Sequence, residues 1–197
     1  MKRVEIAVLL GLILSIILSS FSAFGLDCQS ISGEVLRLHI LANSDSDEDQ
    51  ALKLKVRDAI LEHSPELFSG SNTLADAVLD AEESLDEIKE LAEKEIREGG
   101  FDYAVKAYIT KMPFETRKYD NVNLTAGEYT AVRIEIGAAE GQNWWCVLFP
   151  SLCIGAAQGG SELSDVLSQR EEDIVTSPKF EAKFAIVELI ERLKNKL

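Results

Sequence analysis

The start of the chain limits its fate more than any other feature. Met1-Lys2-Arg3 is basic, and Ile6 to Phe24 (IAVLLGLILSIILSSFSAF) follows without a charge. A basic flank before an apolar run is the pattern of a secretory signal. About 20 apolar residues also suffice to span a bilayer, so an uncleaved anchor is the rival reading. Small residues at Ser20 and Ser22, or at Ala23 and Gly25, favour cleavage. Either way the positive flank stays on the cytoplasmic side and the rest crosses. The expected division is residues 1–25 as signal peptide or membrane anchor and 26–197 as an exported domain. Leu26-Asp27 lacks the small residues that a lipid-modified cysteine needs, so Cys28 is a poor lipid anchor.

What crosses must fold outside the cytoplasm, where thiols tend to oxidise. The chain has three cysteines. Cys146 and Cys153 flank Phe149-Pro150-Ser151, and a proline at the second position of a turn would fold them toward each other. A bridge closing so short a loop stabilises by about 2–3 kcal/mol in the chain-entropy view. Two buried free thiols, or part of a metal site, are the competing readings. The two histidines, His39 and His63, make a poor completion of a zinc set. Cys28 is the odd one out.

Apolar residues make up 46% of the chain and charged residues 27%, which permits one packed domain of ordinary size. The net charge of −14 repels nucleic acid and anionic lipid surfaces. A partner met through long-range electrostatics should therefore offer a basic patch.

Glu34 to Ala42 (EVLRLHILA) alternates as a strand does, with Leu36, Leu38 and Ile40 on one face and Arg37 and His39 on the other. His39 reads as a surface or second-face residue. Asp45, Asp47 and Asp49 resemble the opening of a calcium loop, but Gln50 and Val56 stand where glycine and glutamate are needed. A capped helix start explains them better, through Ser46 with Asp49 or Asp47 with Gln50. That helix runs to about His63, with Leu52, Val56 and Ile60 on its core side and Leu54, Arg57, Asp58 and Leu61 available for a second contact. Thr73 caps a further helix to Glu98, whose apolar seam is Leu74, Val78, Ala81, Leu85, Ile88 and Ala92. It carries ten acids and three bases, which reads as a solvated face. Gly99-Gly100 ends it.

Strands are expected at Tyr103–Met112, Tyr129–Ile136 and Trp144–Phe149, the last two joined by a hairpin over Gly137–Gln142. Gly155 to Ser168 reads as a surface loop. Ser177-Pro178 starts a last helix with Ala182, Ile186, Leu189, Ile190 and Leu193 as its buried stripe. The fold class is α+β: a single domain with a small, mainly antiparallel sheet and helices packed on one face.

No nucleophile turn, phosphate loop or zincin motif occurs. We therefore assign no catalytic residue, metal ligand or cofactor.

The blocks LRLHILANSDSDEDQALKLKVRDAIL (Leu36–Leu61) and YTAVRIEIGAAEGQNWWCVLFPSLC (Tyr129–Cys153) resemble the stage II sporulation protein R family. The resemblance implies a protein made in the forespore of an endospore former and exported into the space between two membranes. There it would trigger a membrane-embedded aspartic-type protease of the mother cell, which removes the pro-segment of sigma-E. It implies an activating ligand and supplies no catalytic residues. A contact surface is expected at the strand-to-helix corner, from Asn43, Ser44, Asp45, Asp49, Gln50, Arg57 and Asp58, with Asn143, Trp144 and Trp145 nearby. Tryptophan and arginine most often dominate binding surfaces. Neighbouring strand residues face opposite ways, so one tryptophan should be core and the other need not be. The alternatives are a secreted hydrolase of cell wall or protein, with an acid–base pair among Asp45, Asp47, Asp49 and Asp58, and a structural protein tethered by Ile6–Phe24.

Overall fold

The computed structural model describes residues 2–119, 122–150, 152 and 163–194. In chain order the helices and strands are α1 (Lys2–Ser32), β1 (Leu36–Leu41), α2 (Asp47–Leu67), α3 (Leu74–Glu83), α4 (Leu85–Glu98) and β2 (Val105–Phe114). Then come β3 (Arg117–Tyr119), β4 (Val122–Leu124), β5 (Gly127–Ile136), β6 (Asn143–Phe149), α5 (Leu163–Val166), α6 (Gln169–Thr176) and α7 (Glu181–Lys194). The architecture is α+β, as expected.

The main sheet has the order β2-β5-β1-β6. β1 pairs parallel with β5 and antiparallel with β6, and β2 pairs antiparallel with β5. This corrects the expected hairpin over Gly137–Gln142: β5 and β6 are not neighbours, because β1 lies between them. The inserted strand is why the two halves of the chain meet. It also leaves β6 at one edge and β2 at the other; Pro113 lies in β2, where the lost donor is tolerated.

One sheet face carries Leu36, Leu38, Ile40, Val132 and Ile134, covered by Leu52, Val56 and Ile60 of α2 and by Ala81, Ile88, Ala92 and Ile96 of α3 and α4. Each buried valine, leucine or isoleucine among them contributes roughly 1.5–3 kcal/mol. The expected single helix from Thr73 is two, broken at Ser84, whose backbone leaves the helical region (φ −98°, ψ 4°). Its start is as expected: Thr73 and Asp76 form a reciprocal cap.

The opposite face is covered too. The C-terminal end of α1, the β3–β4 hairpin, α6 and α7 enclose a second core that includes Phe24, Cys28, Ile31, Phe114, Leu124, Tyr129, Ile174 and Phe184. Helix α1 is long and apolar enough to cross a membrane by length and composition. It runs past residue 25 without a break, and Phe24 stacks with Phe180 and Phe184 at 5.6 Å. Arg170 donates to both Asp27 carboxylate oxygens at 2.7–3.1 Å. The last helix corrects another expectation. Ile186, Leu189, Ile190 and Leu193 are exposed, and Phe184 is the residue it buries. Residues 163–166, expected in a loop, form α5; the rest of that expected loop lies largely outside the described residues.

Cys28 is a buried free thiol. It should resist a maleimide in the folded protein and react within minutes in denaturant. Equal labelling rates, read by intact mass, would show that the α1 end does not pack on the body. Cys146 is buried in the first core, and its expected partner Cys153 lies outside the described residues.

Candidate protein-interaction site

The corner between β1 and α2 is built by the residues that cap the helix. Ser46 is the N-cap and its Oγ accepts from Asp49 N. Asp49 is buried, and its carboxylate turns back to accept from Ser44 Oγ (2.6 Å) and Asn43 Nδ2 (2.8 Å). Burial pushes the Asp49 carboxyl up, but the bonds from Ser44 and Asn43 outweigh it and hold the group below its ordinary value.

The same corner grips the connection before β6. Asn43 Oδ1 accepts from Ala138 N at 2.9 Å, and Asp45 Oδ1 accepts from Gln142 N at 2.7 Å. Lys53, though buried, donates to Gln50 Oε1 and to the Gln142 carbonyl. A Cβ at Gly141 would collide with the Ser44 carbonyl, so only glycine allows the approach. Asn43, Ser44, Asp45, Asp49 and Gln50 therefore join the corner to the 137–142 segment. They position a surface more than they present one.

The expected meeting of the two blocks is present. Ile40 stands opposite Trp144, and Leu41 opposite Asn143. The tryptophans divide between the faces, though neither is fully buried. Trp144 packs toward α2, with the Arg57 guanidinium 4.3 Å from its ring centre. Trp145 lies on the second face, stacked on His39 at 3.9 Å with 1° between the planes. His39 Nε2 donates to Asn143 Oδ1 at 2.6 Å. Asp58, exposed beside Arg57, accepts from its Nε at 2.7 Å.

A cleft of about 360 Å³ wraps over the β6 edge. Arg57, Asp58 and Leu61 of α2 form one wall, and Trp144, Trp145 and Cys146 the strand side. Tyr119 and Leu152 close it. Four of the ten expected contact residues line it: Arg57, Asp58, Trp144 and Trp145.

Sequence reasoning missed Tyr119 and the residue behind it. Asp120-Asn121 between two short runs is a hairpin signal that would have found Tyr119. Arg37 is fully buried beneath the cleft. Its Nε donates to the Cys146 carbonyl at 3.0 Å and its Nη2 to the Tyr119 hydroxyl at 2.6 Å. Rings of Phe114, Tyr129 and Tyr119 surround the guanidinium at 4.3, 5.0 and 5.4 Å.

Three of the four aspartates considered for acid–base chemistry have separate partners. Asp45 holds Gln142, Asp49 holds the corner, Asp58 meets Arg57, and Asp47 is an exposed residue of the first turn. Acid catalysis needs a carboxyl raised above its usual value, and Asp49 moves the other way. Among the described residues no group of three or more metal-ligand side chains converges.

By fold and site the chain is thus an α+β domain behind an apolar helix, with an aromatic and cationic cleft at its sheet edge. It belongs to the stage II sporulation protein R family: residues 32–158 match that family's model. It is 39% identical over 123 residues to stage II sporulation protein R of Bacillus subtilis (strain 168). The match covers 62% of this chain and 55% of that protein, so the chain spans about half the length of the curated relative. No solved structure matches. Family membership assigns a role in sporulation, and the apolar helix is consistent with export.

Proposed function

We propose that the protein is an exported signal that activates a membrane-embedded aspartic-type protease of the mother cell, leading to processing of pro-sigma-E. It acts by contact in the space between the forespore and mother-cell membranes. The carrying observation is the meeting of Arg57 and Asp58 with Trp144 and Trp145 at one half-exposed edge. Aromatic and arginine side chains partly withdrawn from water are the usual anchors of a binding surface. The part-buried bonds from Asn43 and Ser44 to Asp49 preorganise the edge before any partner arrives, which lowers the ordering cost of docking.

A Cys146–Cys153 bridge belongs to the proposal. It would brace the cleft floor in an oxidising space, and Cys28 is the free thiol among the described residues. Cys146→Ser should then lower stability by about 2–3 kcal/mol and reduce signalling. Unchanged melting under a reducing agent would count against the bridge.

The deciding experiment co-expresses the full chain with the protease and its pro-sigma substrate in a non-sporulating host. Wild type should produce the shortened sigma factor. Arg57→Ala and Trp144→Ala should each cut processing at least tenfold, as expected for anchors worth about 2 kcal/mol. Arg57→Ala should keep the melting temperature within a few degrees. Full processing by both variants would remove this edge from the contact; processing without the protein would reject the role itself.

A further inference from the structure

We propose that the cleft at the β6 edge receives an acidic side chain of the partner, a glutamate or aspartate next to an apolar residue. The inference rests on the docking role proposed above and names the chemistry that the role recognises.

The cleft has more donors than acceptors. Trp144 lines it, and its indole Nε1–H is buried with no partner among the described residues. Directly behind the lining residues Tyr119 and Cys146 lies Arg37, fully buried, whose Nη1 is likewise unmatched. Its other two nitrogens meet a carbonyl and a phenol, and no carboxylate faces it among the described residues. A buried cation without a counter-ion is costly, and a native structure keeps one where something repays it. Arg57 adds a second guanidinium, 4.3 Å from the centre of the Trp144 ring. Its counter-ion is the adjacent Asp58, whose side chain is 65% exposed and can turn to solvent. Burial lowers the Lys53 ammonium below its ordinary value, Asp45 opposes the shift and Arg57 adds to it.

Unmatched donors and excess positive charge call for an anionic acceptor. Leu61, Leu152 and the two indoles add an apolar wall, so the acceptor should come with an apolar neighbour. The −14 charge of the whole chain predicts a basic partner at long range. At this edge the local chemistry is reversed, and a partner with a basic surround and one acidic residue satisfies both.

The test uses the isotope-labelled full chain in detergent, titrated with acetyl-Leu-Glu-amide and acetyl-Leu-Gln-amide. These probes share a shape and differ in charge. The indole N–H proton of Trp144, assigned by its loss in Trp144→Phe, should move downfield with the glutamate probe. The glutamine probe should bind at least tenfold more weakly. Arg57→Gln should abolish the preference, and Arg57→Lys should retain part of it. Trp144→Phe, followed through the Tyr119 signals, should bind the glutamate probe several-fold more weakly while near-ultraviolet dichroism confirms the fold. Equal binding of the two probes, or a preference that survives Arg57→Gln, overturns the proposal. Tighter binding of N-acetyl-leucine, whose carboxylate is a chain end, overturns the side-chain assignment. The proposal can fail here while the processing assay still succeeds, so the two readings are separately refutable.

Discussion

Arg37→Ala should destabilise the domain by about 3–5 kcal/mol, the largest effect expected of any single change described. The side chain is fully buried near the start of β1. Truncation removes a guanidinium that three aromatic rings enclose and opens a cavity that Phe114 and Tyr129 cannot fill by small shifts, being packed against each other at 5.5 Å. It also leaves the buried Cys146 carbonyl without the donor that Arg37 supplies. Loss of desolvation cost returns part of this. The cavity, the ring contacts and the broken bonds outweigh it. Arg37→Lys should recover only a fraction, because a single ammonium cannot reach Cys146 and Tyr119 together in the planar fork. Urea unfolding at pH 7 measures both, and a cost below 1 kcal/mol for Arg37→Ala would show that the second core does not depend on this cation.

His39 should make the domain acid-sensitive well above the range where carboxylates titrate. Burial lowers its pKa from 6.5 to about 4. The Asn143 bond opposes the shift, Arg133 reinforces it and Glu135 opposes it. Phe114 and Trp145 pack on the ring without bearing charge. The folded imidazole thus resists a proton that the unfolded chain accepts from about pH 6.5 downward. The stability is full above pH 6.5 and is lost as pH falls from 6.5 toward 4. The loss is on the order of 2 kcal/mol after allowing for relaxation and water access. His39→Phe keeps a ring for the Trp145 stack and should remove most of the slope in that window. Denaturant midpoints from pH 7 to pH 4.5 test this, and parallel curves for both proteins would mean that His39 is not the group responsible. Asp49 and Glu135, both held below their ordinary values, lose their contribution only at lower pH.

Periodicity made much of the first core legible. Leu36, Leu38 and Ile40 alternate, and Leu52, Val56 and Ile60 recur at helical spacing, so their burial follows from local geometry. The seam in α3 and α4 was legible for the same reason, and the break at Ser84 was not, since serine is compatible with either state. The stripe of α7 misled: a helical pattern says which residues share a side and not whether anything covers that side. Half of the site was readable as composition, in Arg57, Asp58 and the paired tryptophans. Its other half, Tyr119 and Arg37, depends on elements distant in the chain.

By itself the sequence determined the apolar N-terminal run, the α+β class, the capped start of α2 and the family, because each rests on neighbours along the chain or on long matching blocks. Only the tertiary structure decided that β1 lies between β5 and β6. Strand order is set by which hydrophobic faces and backbone edges can be satisfied together, a condition that no local pattern carries. That insertion lays Trp144 against Arg57, stacks Trp145 on His39 and leaves Arg37 beneath the cleft bonded to a carbonyl and a phenol, with its Nη1 unmatched.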